Sequence, residues 1–252
     1  MNVRTFSRRG VLAALTGVAP AAIFAQGTLL DQGKSLLNQL PGQQQQGKSS
    51  SLSEGEIGSG LKEALKIATQ HTVGRVGKTD GYNGDPAIRI PLPGPLQTIQ
   101  GPLKSMGAGG LLDDLQLKMN RGAEQAAPKA LNIFGDALSK MSIDDARGIL
   151  AGPSDAATDY FKRTTTPQLT SAFRPIVDSA LSGTGAVAVF KEVQGKAGSI
   201  PFAGSEVQGF DLTDFTVGKA LDGLFHYLAS EEASIRSNPA ARTTDLLKKV
   251  FG

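Results

Sequence analysis

The chain has no cysteine and no tryptophan. Without cysteine there is no disulfide, no thiolate metal site, no cysteine nucleophile and no thiol behind a leader to carry a lipid. That composition fits an oxidising compartment, where stray thiols are a liability. Histidine is almost as scarce. His71 and His226 are the two in 252 residues, and neither stands in a His-x-x-x-His or Glu-x-x-His spacing. A histidine-based zinc site is therefore not expected, and both are read as structural residues. Aromatic residues make up 6% of the chain, which suits a helical core of Leu, Ala, Ile and Val better than an aromatic-rich sandwich. There is no Gly-x-Ser-x-Gly elbow, so an α/β-hydrolase triad has no support.

Net charge is also lacking once the N-terminus is set aside. The formal charge is +3, and the first 25 residues hold Arg4, Arg8 and Arg9 but no acid, so the remainder is neutral. A neutral body gives no electrostatic reason to expect nucleic acid as a partner. Residues 1–25 read as an export signal peptide: three arginines, an apolar run from Val11 to Phe24 and a cleavage point at Ala25-Gln26. Ser7-Arg8-Arg9-Gly10-Val11-Leu12 is twin-arginine-like, so a periplasmic location is expected after cleavage. No later stretch is long and apolar enough to span a membrane.

Residues 26–52 are polar and biased, with Gln43 to Gln46 and Ser49 to Ser51 as extremes, and read as a flexible linker. Gly42-Gln-Gln-Gln-Gln-Gly47-Lys48-Ser49 inside it matches the phosphate-loop pattern by letters alone, since no strand precedes it. Gly183-Thr-Gly185-Ala-Val-Ala188 matches a loose dinucleotide pattern but follows a helical run, so it reads as a helix break. No cofactor is expected.

Residues 53–252 read as one helical domain. Ser53-Glu-Gly-Glu56 is a capping box before an apolar face of Ile57, Leu61, Ala64, Leu65 and Ala68. Thr79 to Pro86 is dense in turn residues, and Ala87 to Pro93 alternates like a short edge strand. Helices are expected over 96–106 and 111–119, with Asn120 and Glu124 sharing a face beside Arg121. After a break at Pro128, Leu131, Phe134 and Leu138 form an apolar stripe. Ser142 is a predicted N-cap with Asp144 and Asp145 in the first turn, and Ser154-Asp155 a predicted cap for the next helix. Thr166-Pro167 then starts a further helix, kinked at Pro175. After a helix over 186–193 and a loop over 195–209, Asp211 caps a long helix in which Glu232 and Arg236 are four apart. A short helix over 243–250 closes the chain.

Six motifs in order resemble one family: Ile90-Pro-Leu-Pro93, Met119-Asn-Arg-Gly-Ala-Glu124, Asp144-Asp-Ala146, Ala157-Thr-Asp-Tyr-Phe161, Gly223-Leu-Phe225, and the ending from Ile235 to Gly252. Together they look like the bacterial family called domain of unknown function 4197, over roughly Leu52 to Gly252. Gly122 stands where that family has alanine, and Phe215 where it has tyrosine. The resemblance implies an exported, mostly helical domain and brings no activity with it.

The fold expectation is all-α, a compact multi-helix domain with crossing helices, with room for one small strand or hairpin over 87–93. Two functions follow from the residues. One is a non-catalytic binding or scaffold protein of the cell envelope, holding an envelope partner or a small apolar ligand in a helical groove. The other is a carboxylate- or metal-dependent hydrolase using Glu124, with Asn120 and Arg121, and a second acid. The ligand-binding candidates are Asn120, Arg121, Glu124, Asp145, Thr158, Glu232 and Arg236. No residue is singled out as catalytic or as a metal ligand.

Overall fold

Among the described residues, four of the helix starts can be traced to a side chain that satisfies the first amides. The structure is a computed structural model and describes residues 53–105, 107, 109–183, 185–196 and 209–237. The expected signal peptide, the linker, residues 197–208 of the loop expected over 195–209, and the closing helix over 243–250 lie outside these residues; Gly195 and Lys196 belong to a helix. Helix α1 (Glu54–Val76) begins at the predicted capping box: the Ser53 hydroxyl accepts from the Glu56 amide, and the Glu56 carboxylate accepts from the Ser53 amide at 2.8 Å. Helix α2 (Gly94–Ser105) follows Pro93, and α3 (Gly109–Ala126) sends Leu112, Leu115, Met119 and Ala123 into the core. Pro128 sits in one turn of 3₁₀ helix (Ala127–Lys129) that leads into α4 (Ala130–Lys140). Helix α5 (Ile143–Ala151) starts on a second capping box, Ser142 with Asp145. Helices α6 (Ala156–Ser182), α7 (Gly185–Lys196) and α8 (Leu212–Ser237) follow, the last started by Asp211, which accepts from the Asp214 amide at 2.9 Å.

Helix α6 is the central member. It packs on α3, α4, α5 and α8; α8 packs also on α1, and α1 on α4 and α5. The core under it is aliphatic with a few rings, Phe134 meeting Phe161 edge-on at 4.9 Å. Gly122 lies in the α3–α6 contact. A Cβ there would stand 3.2 Å from the Ala180 Cβ, so glycine lets the two helices close up.

Three sequence expectations meet a different outcome. Helix α6 does not restart at Pro167 but runs unbroken through Pro167 and Pro175. Each internal proline costs about 3 kcal/mol. Against that, α6 buries Leu169, Phe173, Val177 and Leu181, at about 1.5–3 kcal/mol each. The hydroxyls of Thr164, Thr165 and Thr166 also donate back to the carbonyls of Tyr160, Phe161 and Lys162, at 2.8, 2.6 and 2.6 Å. That back-bonding tolerates a slight bend of the kind proline needs.

The residues over 87–93 form no strand, and there is none among the described residues. The Asn120 amide takes the neighbouring strand's part. Its Oδ1 accepts from the Ile90 amide at 2.8 Å and its Nδ2 donates to the Ile90 carbonyl at 3.0 Å. Leu131 also departs from the predicted stripe: Phe134 and Leu138 are buried, but Leu131 faces solvent.

Candidate functional site

The residues nominated from sequence gather into two polar clasps and one isolated cap. In the first clasp, α3 holds the loop between α1 and α2. Glu124 is buried, and its Oε1 accepts from the amides of Tyr82 and Asn83, both at 3.1 Å. Its Oε2 accepts from Arg121 Nη1 at 2.6 Å, and Arg121 Nη2 donates to Asp80 at 2.8 Å. Asp80 has φ of 61°, a left-handed conformation that non-glycine residues rarely adopt, and Asn83 and Arg121 both donate to its side chain. Those two bonds, Asn83 first, hold the Asp80 carboxyl below its usual value, and the bond to Glu124 raises the Arg121 guanidinium. Between them lies Tyr82, fully buried, its hydroxyl donating to the Ala220 carbonyl at 2.6 Å. Burial drives its phenol far above the usual value, so it is a neutral donor and not a base. The ring lies over Gly223, where an added Cβ would be 2.6 Å from it.

In the second clasp, Glu232 of α8 caps α6. Its Oε1 accepts from the Ala157 amide at 2.9 Å, and its Oε2 from the Thr158 amide at 2.8 Å and the Thr158 hydroxyl at 2.9 Å. These are amides that a helix N-terminus leaves without partners, and the positive end of the helix dipole favours a carboxylate there. Arg236 completes it, Nη2 donating to Glu232 at 2.9 Å and to the Ile149 carbonyl in the last turn of α5 at 2.8 Å. The predicted cap, Asp155, occupies the N-cap position, but its side chain makes no capping bond. A glutamate 74 residues beyond Thr158 does that work.

Asp145 belongs to neither clasp. It accepts from the Ser142 hydroxyl and amide, and these bonds hold its carboxyl below the usual value. Glu124, Glu232 and Asp145 therefore share no partner. A third polar contact has no sequence spacing to reveal it. The Tyr227 hydroxyl of α8 donates to Asp85 at 2.5 Å, and Arg75 of α1 donates to that hydroxyl at 2.9 Å, its guanidinium 3.8 Å from the Tyr227 ring centre. The bond from Tyr227 is the main reason the Asp85 carboxyl lies low. Both histidines are exposed: His71 lies 3.3 Å from Glu231, and His226 is edge-on to Tyr227.

The open surface lies elsewhere. A groove of about 540 Å³ runs between α1 and α4, floored by Leu138 and bordered by Leu131 and Lys66. A second, of about 460 Å³, is lined by Phe190 and Leu212 together with the charged Arg174, Asp178, Lys191 and Asp211. Among the described residues no group of three or more His, Asp and Glu is placed to hold a metal ion, and no helix is long and apolar enough to cross a membrane.

The family model described as Protein of unknown function (DUF4197) matches residues 51–252. No curated protein and no solved structure matches the chain.

Proposed function

We propose that this chain, which belongs to the DUF4197 family of proteins of unknown function, is an exported, non-catalytic binding or scaffold protein of the periplasm. The observation that carries the reading is the state of the two buried carboxylates. Glu124 and Glu232 each take two backbone amides and one arginine, so their oxygens are occupied in holding a loop and a helix start. A general acid or base must be able to reach a substrate proton, and a paired carboxylate mechanism needs two acids facing one space. The carboxylate- or metal-dependent hydrolase, the other reading of Glu124, gains no support from that arrangement. What the surface offers instead is open grooves, the one between α1 and α4 mainly apolar in its lining, the form that ligand and peptide sites take.

Export rests on the leader pattern of residues 1–25, Arg8 and Arg9 above all. Replacing both by lysine is expected to leave the precursor in the cytoplasm. Secretion unaffected by the change would remove the twin-arginine reading. For binding, the protein isolated from periplasm would be weighed by mass spectrometry under native and denaturing conditions. A mass excess lost on denaturation, or a co-purifying partner in the native spectrum, is the expected result. Hydrolysis of an ester, peptide or glycoside panel that disappears in Glu124→Gln, a variant first shown to be folded, would overturn the non-catalytic reading.

A further inference from the structure

Helices α1 and α4 leave between them a channel longer than the groove described above. The groove under Leu131 and a second depression beside Ile143 meet at Lys62, which lines both. Together they run along α1 from Gly55 to Gln70, about 22 Å or four helical turns. Three large hydrophobic residues are exposed among the described residues, Leu117, Leu131 and Ile143, and two of the three border this channel. Nothing lies within 4 Å of where a Cβ would stand at Gly55 or Gly135, so a bound backbone can come close there. Lys62 and Lys66 stand four apart on the α1 rim. Neither forms an ion pair among the described residues, and Glu63 is the single acid of the lining.

The walls decide what fits. One long wall is α1 and the other is α4 followed by the short Met141–Ser142 connection into α5. Most of the backbone groups along them are already paired within helices, so an extended peptide laid between them would leave most of its own amides without protein partners. An acyl chain in so open a channel would keep much of its surface in water, whereas small-ligand sites bury most of theirs. A helix has its backbone satisfied internally and needs to hide one stripe only. Two lysines against one glutamate select for acid beside that stripe. We propose that this channel receives an amphipathic helix of a partner protein, about four turns long, with an apolar stripe flanked on one edge by acidic residues. The proposal rests on the binding reading above and names its site and the chemistry of its partner.

The test uses the full chain and a labelled synthetic peptide of about 18 residues with leucines at i, i+3, i+4 and i+7 and glutamates along one edge of the stripe. Two controls are the same peptide with lysines on that edge and a scrambled sequence that breaks the stripe. Fluorescence anisotropy is expected to show saturable binding of the glutamate peptide, roughly tenfold weaker for the lysine peptide and absent for the scramble. Leu131→Glu and Gly135→Leu, both at exposed positions, are expected to weaken binding by roughly tenfold or more while circular dichroism stays unchanged. The double change Lys62→Glu, Lys66→Glu should reverse the preference between the two charged peptides. Equal binding of the scramble, no binding of the glutamate peptide at millimolar concentration, or indifference to the channel variants overturns the proposal. So does a native-mass homodimer that Leu131→Glu dissolves, because a second copy is then the occupant. If the peptide fails but the native spectrum carries a ligand, the binding reading stands and only this channel falls.

Discussion

The two clasps use the same parts, a buried glutamate, an arginine of its own helix and two backbone amides, yet they hold different things. Glu124 pins the turn at Tyr82 and Asn83, some 40 residues back along the chain, and Arg121 reaches on to the exposed Asp80. Glu232 joins the start of α6, the end of α5 and the body of α8 in one set of bonds. The first fixes a loop to a finished helix, and the second fixes helices to one another. A buried acid is thus no guide to chemistry until its partners are known. The same pair of residue types marks a local fastening in one place and a keystone of the bundle in the other.

The sharpest way to break that comparison is to remove each acid. Glu232→Ala leaves Arg236 facing a vacated site and strips amides at the start of α6, and is expected to cost about 3–5 kcal/mol. Unfolding by urea should show one transition at a lower midpoint, with amide exchange accelerated across α5, α6 and α8 alike. Glu124→Ala should cost less, about 2–3 kcal/mol, because Arg121 keeps Asp80 and, of the two orphaned amides, only that of Tyr82 is fully buried while that of Asn83 is half-buried. Its exchange should speed first over residues 77–93; a uniform increase across all helices would show that the two clasps are equivalent after all. Gly223→Ala drives a methyl into the Tyr82 ring and the Ile88 side chain, an overpacking expected to cost about 1–3 kcal/mol. Because that ring is held from below by Ala220, the damage should appear as a loosened loop with α8 intact, measurable by the same exchange experiment.

The smallest effect concerns Asp85, which ties the same loop to α1 and α8. Its carboxyl lies below the usual value in the folded protein, so the stability it adds is complete above the unfolded value near pH 4. It is lost as pH falls through the lowered folded value. Asp85→Asn should therefore lower stability modestly at neutral pH, where that contribution is complete, and make the acid limb shallower below about pH 4, so that variant and parent converge at low pH. An unchanged acid limb would assign that limb to Asp80, Asp145 and Asp211, whose carboxyls are lowered as well.

What was legible in the sequence is what is local. The capping box expected at Ser53 and Glu56 and the N-cap expected at Ser142 both form where the sequence puts them, the second also as a capping box with Asp145. Glu232 with Arg236, and Glu124 with Arg121, are neighbours on a helix face, and both ion pairs are present. What was not legible is what those pairs are for. No spacing links Glu232 to Thr158 or Asn120 to Ile90, so Asp155 drew the cap and residues 87–93 drew a strand. Pro167 misled for a related reason: its local cost was visible, but the burial of Leu169, Phe173 and Val177 that offsets it depends on neighbours elsewhere in the chain. Leu131 fitted the period of its helix, yet the period does not show that no element among the described residues covers that side of α4.

The long reach from Thr158 to Glu232 also sets a clock for biosynthesis. The amides that open α6 receive their carboxylate only after a further 74 residues have been made. At ribosomal rates of about 5–20 residues per second, that is a wait of roughly 4–15 s. Through that interval the nascent α6 carries an unfinished first turn, and α5 lacks the arginine that meets its Ile149 carbonyl. A chaperone that binds this stretch has a defined period in which to act, and the arrival of Glu232 and Arg236 ends it.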